Sequence, residues 1–479
     1  MKLLPLAITL LTAGLIFGIY LGNPAPDPAG DIVEYYGATE SLLRHGSLRL
    51  TDEDRSALSE SLHPEYFTNP GYYFTGTDGF RYPMHFVGYS FLLTPVRFLL
   101  EHIGLQPLLV FPLVNTLIMT TTIVYAMHRF FHAAHKQFML FLLLVSSPLL
   151  SFLLWPGPDI LYLCLFFISL CFYMERKWIT AAIFAALASW HSQPLMVMTA
   201  GILIISAYEQ YSMAKKNIGN YAVSVLAIIG LAAVPYLYNY SHFATWTPWT
   251  ILQDFWTKTY GFGLHNIRAM KLFEQLFDLN VGVFWYAPVL TVFGLWQIYK
   301  NGTKNTAALW LMALMILTLL AYQTNPAWHY GTSGYGPSRH AIVVIPYFIL
   351  LALYSRINAT RTAILAALIV FTQMPILSMN SLLYPVFSNT LSHTPQATFI
   401  LDRFPTLYNP TPEIFVDRTN HTDLDHPTSA IYKTNGVCKK AYVLTMDIDW
   451  VIKNCGALPK NQQATIQHTA NEGFYVTYP

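Results

Sequence analysis

Long apolar stretches alternate with short polar gaps over most of the chain, and basic residues fall in every second gap. A helix needs about 20 apolar residues to cross a bilayer, and the pattern predicts eleven crossings. The predicted spans are residues 3–22, 107–127, 137–154, 158–174, 178–191, 194–211, 219–236, 282–299, 305–322, 338–355 and 361–378. The first stretch predicts an uncleaved helix rather than a signal peptide, because signal cores typically have about 7 to 15 residues.

The orientation of these spans follows from the gaps that contain Lys and Arg, because these residues resist translocation. The basic gaps contain Arg129 with Lys136, Arg176 with Lys177, Lys215 with Lys216, Lys300 with Lys304, and Arg356 with Arg361. The short gaps between them, 155–159, 191–194 and 323–338, contain no Lys or Arg. With Lys2 and the basic pairs in the cytoplasm, these other gaps face outward.

All basic gaps lie on the same side of the membrane only if residues 84–104 do not cross the bilayer. These residues must instead lie at the interface or re-enter on the outer side. The alternative is a model with twelve spans, which changes the side of the membrane on which some of the gaps lie. Under the eleven-span topology, the long outer segments are 23–106, 237–281 and 379–479. The sequence therefore predicts an all-α polytopic membrane domain over 1–378, with juxtamembrane helices in the first outer loop. A small α+β extracytoplasmic domain is predicted for the polar tail.

Composition supports this class and excludes others. The chain has 479 residues, 54% hydrophobic and 11% charged, which is about half the charge density of an average soluble protein. The net charge of +2 does not point to nucleic acid, and no zinc-like spacing of Cys and His is present. Cys164 and Cys171 lie in an apolar span, which is typical of small buried hydrophobes. Cys438 and Cys455 lie in the tail, where an oxidising compartment would let them close a disulfide loop of about 17 residues.

Residues 30–95 place carboxylates, His and Arg between two apolar stretches, and we expect a catalytic loop there. Apolar positions recur every three to four residues over 32–45, which predicts an amphipathic helix at the membrane surface. Asp31 begins this helix, and with Glu34 it is close to a capping box. Asp31 is a candidate both for the helix N-cap and for the catalytic base. The two roles are compatible, since a carboxylate at a helix N-terminus stays ionised and rigid, as a base must be. Glu34 and Tyr36 are substrate-binding candidates.

Two further outer gaps contain groups that suit a charged ligand. Asp159 lies at the mouth of the fourth span, where ionisable groups are functional candidates and helix capping is the alternative. The turn at 328–340 contains three glycines, several hydrogen-bond donors and Arg339 just before a helix. Glycine lets backbone N–H groups approach an anion, and Arg beside a helix N-terminus suits a phosphate. The alternative for Arg339 is snorkelling at the interface.

Other polar residues of the outer gaps are candidates for substrate binding. His191 lies at the outer end of a short span, where hydrogen-bonded packing is the competing interpretation. His329 lies in the glycine-containing turn. Arg81, Tyr82 and His85 directly precede the predicted interfacial helix, so we expect them within reach of a lipid head group.

Five features in order along the chain resemble the GT-C class of polyprenyl-phosphate-sugar glycosyltransferases, including relatives of protein mannosyltransferases and of the aminoarabinose transferase of lipid A. They are GDIVEYYGATESLLRHGSL, YPMHFVGYSFLLTP, PGPDILYLCLFF, NYSHFATWTPW followed by VGVFWYAPVLTVFG, and GYGPSRHAIVVIPYF. The resemblance covers residues 1–355. It implies a similar number of helices and an inverting transfer of a sugar from a polyprenyl phosphate to an acceptor hydroxyl.

The resemblance also assigns roles to single residues. The acidic residue just past the first span is the catalytic carboxylate of this class, which corresponds to Asp31, and Asp159 corresponds to a second acidic position. Ser338 follows Gly-Pro where the family has arginine, so Arg339 is displaced by one residue from the phosphate-binding position. The aspartate pair that binds metal in oligosaccharyltransferase relatives is absent, because two apolar residues follow Asp31. No cofactor is implied, and a divalent metal is compatible with the resemblance but not indicated.

The implied donor is a polyprenyl-phosphate-linked sugar in the lipid bilayer, and the implied acceptor is a protein, a glycolipid or a growing glycan. We expect an integral protein of a bacterial inner membrane whose active site and C-terminal domain face the periplasm. A polytopic transporter and a non-catalytic envelope scaffold are the alternatives. Transporters usually show repeats and polar residues at the bilayer midplane, whereas here the polar residues gather at one face.

Overall fold

The computed structural model shows a mostly helical protein with a small sheet near the C-terminus, which confirms the helical class and the C-terminal strands. The described residues are 14, 32–54, 58, 73–213, 218–247, 261–302, 306–325, 327–330, 336–355, 358–379, 391–422, 428–457 and 473–478. Asp31 and nearly all of the predicted first span lie outside them.

The elements are named in chain order over the described residues. The helices are α1 Ile32–His45, α2 Gly88–His102, α3 Val110–Arg129, α4 Ala134–Val145, α5 Asp159–Met174, α6 Trp178–Ser189, α7 Met196–Met213, α8 Ile218–Ala232, α9 Val234–Phe243, α10 Ala269–Phe277, α11 Val283–Tyr286, α12 Pro288–Gly302, α13 Thr306–Tyr322, α14 Val344–Tyr354, α15 Ala359–Met379, α16 Pro395–Arg403, α17 Pro412–Asn420 and α18 Ile448–Cys455. The strands are β1 Tyr73–Thr75, β2 Arg81–Pro83, β3 Ala430–Thr434, β4 Val437–Val443 and β5 Phe474–Thr477. They form an antiparallel hairpin, β1–β2, and an antiparallel sheet in the order β3-β4-β5.

Small side chains bring α5 and α6 close together at the centre of the bundle. Ala181, Ala182 and Ala185 of α6 are completely buried, and their spacing places them on one side of the helix. Small residues let two helix backbones approach closely. The Ser169 hydroxyl of α5 donates to the Ala181 carbonyl at 2.7 Å, so the buried hydroxyl has a partner inside this contact.

Few of the described helices are long enough to cross a membrane alone. Within the described ranges, the helix Pro107–Arg129 is long and apolar enough. The pair Gly219–Ala232 and Val234–Phe243, bent by 46°, makes a second candidate if it counts as one span. The other apolar stretches whose side chains are described without a gap, such as 359–373 within α15, have 10–17 residues. The eleven crossings are therefore not shown, and their number stays a prediction.

Proline explains one of the interruptions. The predicted span 137–154 is broken, because α4 ends at Val145 and a 3-10 helix follows at Pro148–Leu153. Proline lacks the N–H that a helix interior needs. The Ser147 hydroxyl accepts the Leu149 N–H at 3.3 Å and caps the new turn. An apolar stretch that is continuous in the sequence thus forms two shorter pieces.

A buried ion pair joins α1 to α2. Arg97 Nε lies 2.5 Å from Glu40 Oε1, and the two side chains are 6% and 1% exposed. Arg44 binds the other oxygen of Glu40 at 3.2 Å. The β1–β2 hairpin packs against α1 through Tyr73, whose side chain occupies the space that a Cβ on Gly37 would need. The predicted amphipathic helix is therefore fixed on two sides.

Two of the basic gaps meet at one end of the bundle, beside the end of α14. Arg129 at the end of α3 binds Glu175, just after α5, at 2.7 Å, and Lys177 binds the same carboxylate at 3.1 Å. Phe131 packs edge-on against Tyr354 at the end of α14, with ring centroids 5.6 Å apart. Two gaps that were predicted to share the cytoplasmic side are thus neighbours.

The C-terminal region contains α16–α18 and the sheet β3–β5. Cys438 in β4 and Cys455 in α18 form a disulfide, with Cα atoms 5.6 Å apart. Lys440 is fully buried, and its ammonium donates to the carbonyls of Pro405 and Tyr408 at 2.6 and 2.5 Å. Burial lowers the pKa of Lys440 to about 8. These contacts join the sheet to the segment before α17.

Charged and hydrogen-bonding groups join this region to α10 and the residues after it. Lys271 of α10 pairs with Glu413 of α17 at 3.0 Å. The Tyr408 hydroxyl donates to Asp278 at 2.7 Å. Burial raises the pKa of Asp278, and the tyrosine hydroxyl offsets part of the cost of desolvating this carboxyl.

The polar side of α10 faces inward and its apolar side faces outward. Lys271 and Glu274 are 1% and 2% exposed, whereas Met270 and Phe273 are 51% and 55% exposed. The Thr411 N–H donates to Glu274 at 2.6 Å. A soluble helix normally has the opposite arrangement, so the C-terminal region supplies the polar environment that α10 requires.

Candidate functional site

A cavity of ≈ 330 Å³ lies at the N-terminal end of α5, at the opposite end of this helix from the Arg129–Glu175 ion pair. Its described wall consists of Tyr35, His85, Pro158, Asp159, Tyr162, His191, Ser192, Gln193, Pro194, Val197, Phe262, Ala321, Tyr322, Thr324, Asn325, Arg339 and His340. Small-molecule sites typically have about 300–1,000 Å³ and a few convergent polar groups. This cavity therefore has the size and the polar groups of a ligand site.

The wall residues come from separate parts of the chain. The polar segments that contribute to the wall are 23–106, 155–159, 191–194, 237–281 and 323–338. Three of these are the short gaps whose lack of Lys and Arg predicted an outward side, and the other two are the long outer segments of the same topology. The basic gaps contribute none of the described wall residues, so the charge pattern separates the two ends of the bundle.

Glu34 and His85 form a buried pair at the cavity. Glu34 is fully buried in α1, and its Oε2 lies 2.6 Å from His85 Nδ1. Its other oxygen accepts the main-chain N–H of His85. The His85 ring lines the cavity and stacks on Tyr35, with centroids 6.1 Å apart. A carboxylate at Nδ1 sets the tautomer and orientation of an imidazole, so Glu34 acts on the cavity through His85.

Asp159 is the first residue of α5 and is 5% exposed. Its Oδ1 lies 2.9 Å from the Tyr162 hydroxyl, which in turn lies 3.4 Å from the Arg339 carbonyl. Gly157 permits this turn, because a Cβ there would lie 2.7 Å from Trp155 Nε1 and 3.1 Å from Asp159 Oδ2. Tyr162 thus links the acidic residue to the segment that carries the arginine.

His191 forms part of the cavity wall in the gap after α6. Both ring nitrogens are buried, and neither has a hydrogen-bond partner among the described residues. The ring packs against Tyr35, Phe86 and Tyr89, with centroid distances of 6.3, 5.9 and 6.4 Å. A buried polar group without a partner costs about 1–3 kcal/mol. A ligand with hydroxyl groups would supply the missing partners.

Arg339 lies between the turn at 328–330 and α14. Its main-chain N–H donates to the Tyr330 carbonyl at 2.8 Å. The next residue, His340, stacks on Tyr322 with centroids 5.2 Å apart, and Tyr322 bonds the Ser192 hydroxyl. Arg339 is the only Arg or Lys in the described wall, so it makes this part of the cavity attractive to an anion.

Three predicted site residues of the first outer loop lie away from the cavity wall. Tyr36 packs in the core against Phe111, with centroids 6.4 Å apart. Arg81 is exposed in β2, and the Tyr82 hydroxyl donates to Asp78 at 2.7 Å. These residues are placed to support the loop, and the predicted contact with substrate stays a prediction.

His329 also lies outside the described cavity wall. Its Nε2 is 3.7 Å from Asp417 Oδ2 in α17. Burial lowers the pKa of His329 well below its ordinary value, and the nearby Arg418 and Lys271 lower it further. The residue therefore belongs to the contact between the turn and the C-terminal region. Asp31, the predicted base, lies outside the described residues.

The wall residues that were not predicted from the sequence include Tyr35, Tyr162, Tyr322 and His340. Tyr162 follows Asp159 by one helical turn, a spacing that places two side chains on one helix face. His340 adjoins Arg339 in the sequence. The sequence contains no comparable signal for Tyr35 or Tyr322, because both look like ordinary apolar positions of a helix.

The wall combines groups with complementary chemistry. A carboxylate such as Asp159 can accept a proton, and a guanidinium such as Arg339 can bind a phosphate through paired hydrogen bonds. Imidazoles and tyrosine hydroxyls can bond the hydroxyls of a sugar. In the part of the chain that the structure describes, no group of three His, Cys, Asp or Glu side chains is placed to hold a metal ion.

The chain matches no protein-family model, no curated protein and no solved structure. The family resemblance therefore depends on the order of the five short motifs. The chemistry of the site depends on the residues that meet in the cavity.

Proposed function

We propose that this protein is an inverting glycosyltransferase that moves a sugar from a polyprenyl-phosphate donor to an acceptor hydroxyl. One observation carries the proposal: Asp159, Arg339, His85 and His191, from four separate segments, lie in one cavity. Sugar transfer from a phosphate needs a proton acceptor and a cation for the leaving phosphate. The motif resemblance supports the same reaction.

The distribution of charge supports a membrane protein whose cavity faces outward. The three short gaps without Lys or Arg contribute to the cavity, and two basic gaps meet where Arg129 and Lys177 both bind Glu175. The basic end is expected in the cytoplasm. We therefore place the protein in a bacterial inner membrane, with the cavity and the C-terminal domain in the periplasm.

The proposed eleven crossings require the short helices, together with the turns next to them, to cross the bilayer core. The 16 residues of α5 rise about 24 Å, and a bilayer core is about 30 Å thick. Tilt cannot lengthen such a helix, so the capping residues or local thinning of the bilayer must supply the difference.

In the proposed reaction, the acceptor oxygen attacks the anomeric carbon on the face opposite the phosphate. The new C–O bond forms as the bond to the phosphate oxygen breaks, and its electron pair leaves with the polyprenyl phosphate. The acceptor proton passes to a carboxylate, which the resemblance assigns to Asp31, with Asp159 as the second acidic residue. Arg339 stabilises the leaving phosphate, and His85 and His191 hydrogen-bond sugar or acceptor hydroxyls.

Asparagine variants in cells that lack the wild-type gene test the proposal. Asp31→Asn and Asp159→Asn are expected to reach the membrane at normal levels but to lose product, since a positioned base typically supplies about 10²- to 10⁴-fold. The readout is mass spectrometry of envelope glycans and proteins. Asp449→Asn, which changes an exposed carboxylate of α18, is the matched control and should restore wild-type product.

The outcomes separate the three functions. Normal product from both Asp31→Asn and Asp159→Asn would refute the transferase and favour a scaffold. Unchanged glycans together with altered uptake of a solute would favour a transporter. Loss of product with normal membrane levels, seen in the two site variants and not in Asp449→Asn, would support sugar transfer.

A further inference from the structure

Ser338 directly precedes Arg339 and is held from three sides. It is fully buried. Its N–H donates to the Val281 carbonyl at 3.0 Å, and its hydroxyl donates to the Trp328 carbonyl at 2.5 Å. The same hydroxyl accepts the His340 N–H at 3.2 Å. The backbone on each side of Arg339 is therefore tied down by one serine.

The C-terminal region packs on the two residues that hold Ser338. Ile414 of α17 forms a buried apolar cluster with Val281 and Trp328, and each of the three is 0% exposed. The Lys271 ammonium lies 5.4 Å from the centre of the Trp328 ring, on the same contact. Truncation of a buried aliphatic side chain leaves space into which its neighbours can shift. A change at Ile414 would therefore be transmitted to the carbonyls that bind Ser338.

We propose that Ser338 and Ile414 are positioning residues that set the placement of the Arg339 guanidinium in the cavity. This inference rests on the proposed function, in which Arg339 binds the phosphate of the lipid donor. Paired hydrogen bonds to a phosphate require a narrow geometry, so a small shift of the backbone weakens them. The C-terminal region thus belongs to the phosphate site, although none of its described residues lines the cavity.

The test is the binding of undecaprenyl phosphate to the full-length protein in lipid nanodiscs. Arg339→Ala is expected to weaken binding by about 10- to 100-fold, because it removes a charge-assisted contact. Ile414→Ala is expected to weaken binding by about 3- to 10-fold in the wild type and to have no further effect in the Arg339→Ala background. A residue that only stabilises the fold would lower binding in both backgrounds.

Two further variants make the test independent of folding defects. Val451→Ala truncates a fully buried residue of a separate apolar cluster in the same region and should bind the lipid phosphate normally. Ser338→Ala removes the hydrogen bond to Trp328 without changing Ile414, and it is expected to behave like Ile414→Ala. It therefore decides the question if Ile414→Ala does not fold.

The possible results distinguish this inference from the proposed function. Equal losses from Ile414→Ala with and without Arg339 would overturn the positioning role. Normal binding by both Ile414→Ala and Ser338→Ala, with weak binding by Arg339→Ala, would also overturn it but leave the proposed function standing. Normal binding by Arg339→Ala would refute the phosphate site itself, and the positioning role with it.

Discussion

Replacing Glu274 by glutamine is expected to stabilise the contact between α10 and the C-terminal region at neutral and alkaline pH. One oxygen of this buried carboxyl accepts the Thr411 N–H at 2.6 Å, and the other has no partner among the described residues. Burial raises the pKa of Glu274 to about 8, and the neighbouring Asp278 adds to the shift. Glutamine has the same shape, retains an acceptor for Thr411 and carries no charge to desolvate.

The pKa difference determines the size of the effect. A carboxyl whose pKa rises from 4.5 to about 8 on folding binds its proton more tightly in the folded state. Its contribution to stability is therefore complete below pH 4.5 and is lost as the pH rises through 8. At about 1.4 kcal/mol per pKa unit, the loss reaches at most about 3 kcal/mol at pH 7 and about 5 kcal/mol above pH 8. The advantage of the glutamine variant should grow by the same amount.

Hydrogen exchange of residues 391–422, measured from pH 5 to 9 and corrected for the intrinsic exchange rate, reports this stability. Burial also lowers the pKa of His393 to about 3 and lowers that of His329, but both histidines are present in both proteins. Their effects cancel in the comparison. Glu53→Gln, at an exposed position, is the control and should follow the wild type. Parallel pH profiles for the wild type and Glu274→Gln would refute the reasoning.

Two other variants and the reduction of the disulfide test separate contacts. Glu40→Gln leaves the buried Arg97 with only the longer charged contact to the exposed Glu101, at 3.5 Å, and should lower the free energy of unfolding by about 3 kcal/mol; a loss below 1 kcal/mol in thermal unfolding would contradict the burial of the Arg97–Glu40 pair. Reduction of the Cys438–Cys455 bond should destabilise the sheet β3–β5 by about 3 kcal/mol, and unchanged proteolysis of residues 430–477 after reduction would argue against that. His191→Phe keeps the aromatic packing and removes two buried nitrogens, so it should unfold at the same or a higher temperature while transfer falls at least about tenfold. Normal transfer would assign His191 to packing.

The charge pattern predicted which segments lie close together more successfully than the apolar runs predicted where the helices begin and end. Counting Lys and Arg needs no side-chain detail, and the three short gaps that lack them contribute to one cavity. The apolar runs did not predict where helices end, because Pro148 and similar breaks lie inside them. Glu34 shows a different limit. Its spacing from Asp31 is that of a capping box, whereas the structure pairs it with His85, and no short-range pattern distinguishes the two roles.

Two adjacent residues of α1 also lie in different environments. Tyr35 lines the cavity and Tyr36 packs against Phe111, because successive side chains of a helix point about 100° apart. Choosing between them requires knowledge of which face meets the bundle. His329 was predicted at the site from its place in the turn, and its contact with Asp417 depends on a long-range packing that local sequence does not encode.

The bond between Thr411 and Glu274 joins residues 137 positions apart. Because a ribosome makes the chain from its N-terminus, α10 exists well before α17 can cover it. During that interval Lys271 and Glu274 can be solvated only by water or lipid head groups, while Met270 and Phe273 remain at the surface. A chain that terminates early would keep these charges uncovered. A segment that is synthesised much later therefore completes the polar environment of a helix made much earlier.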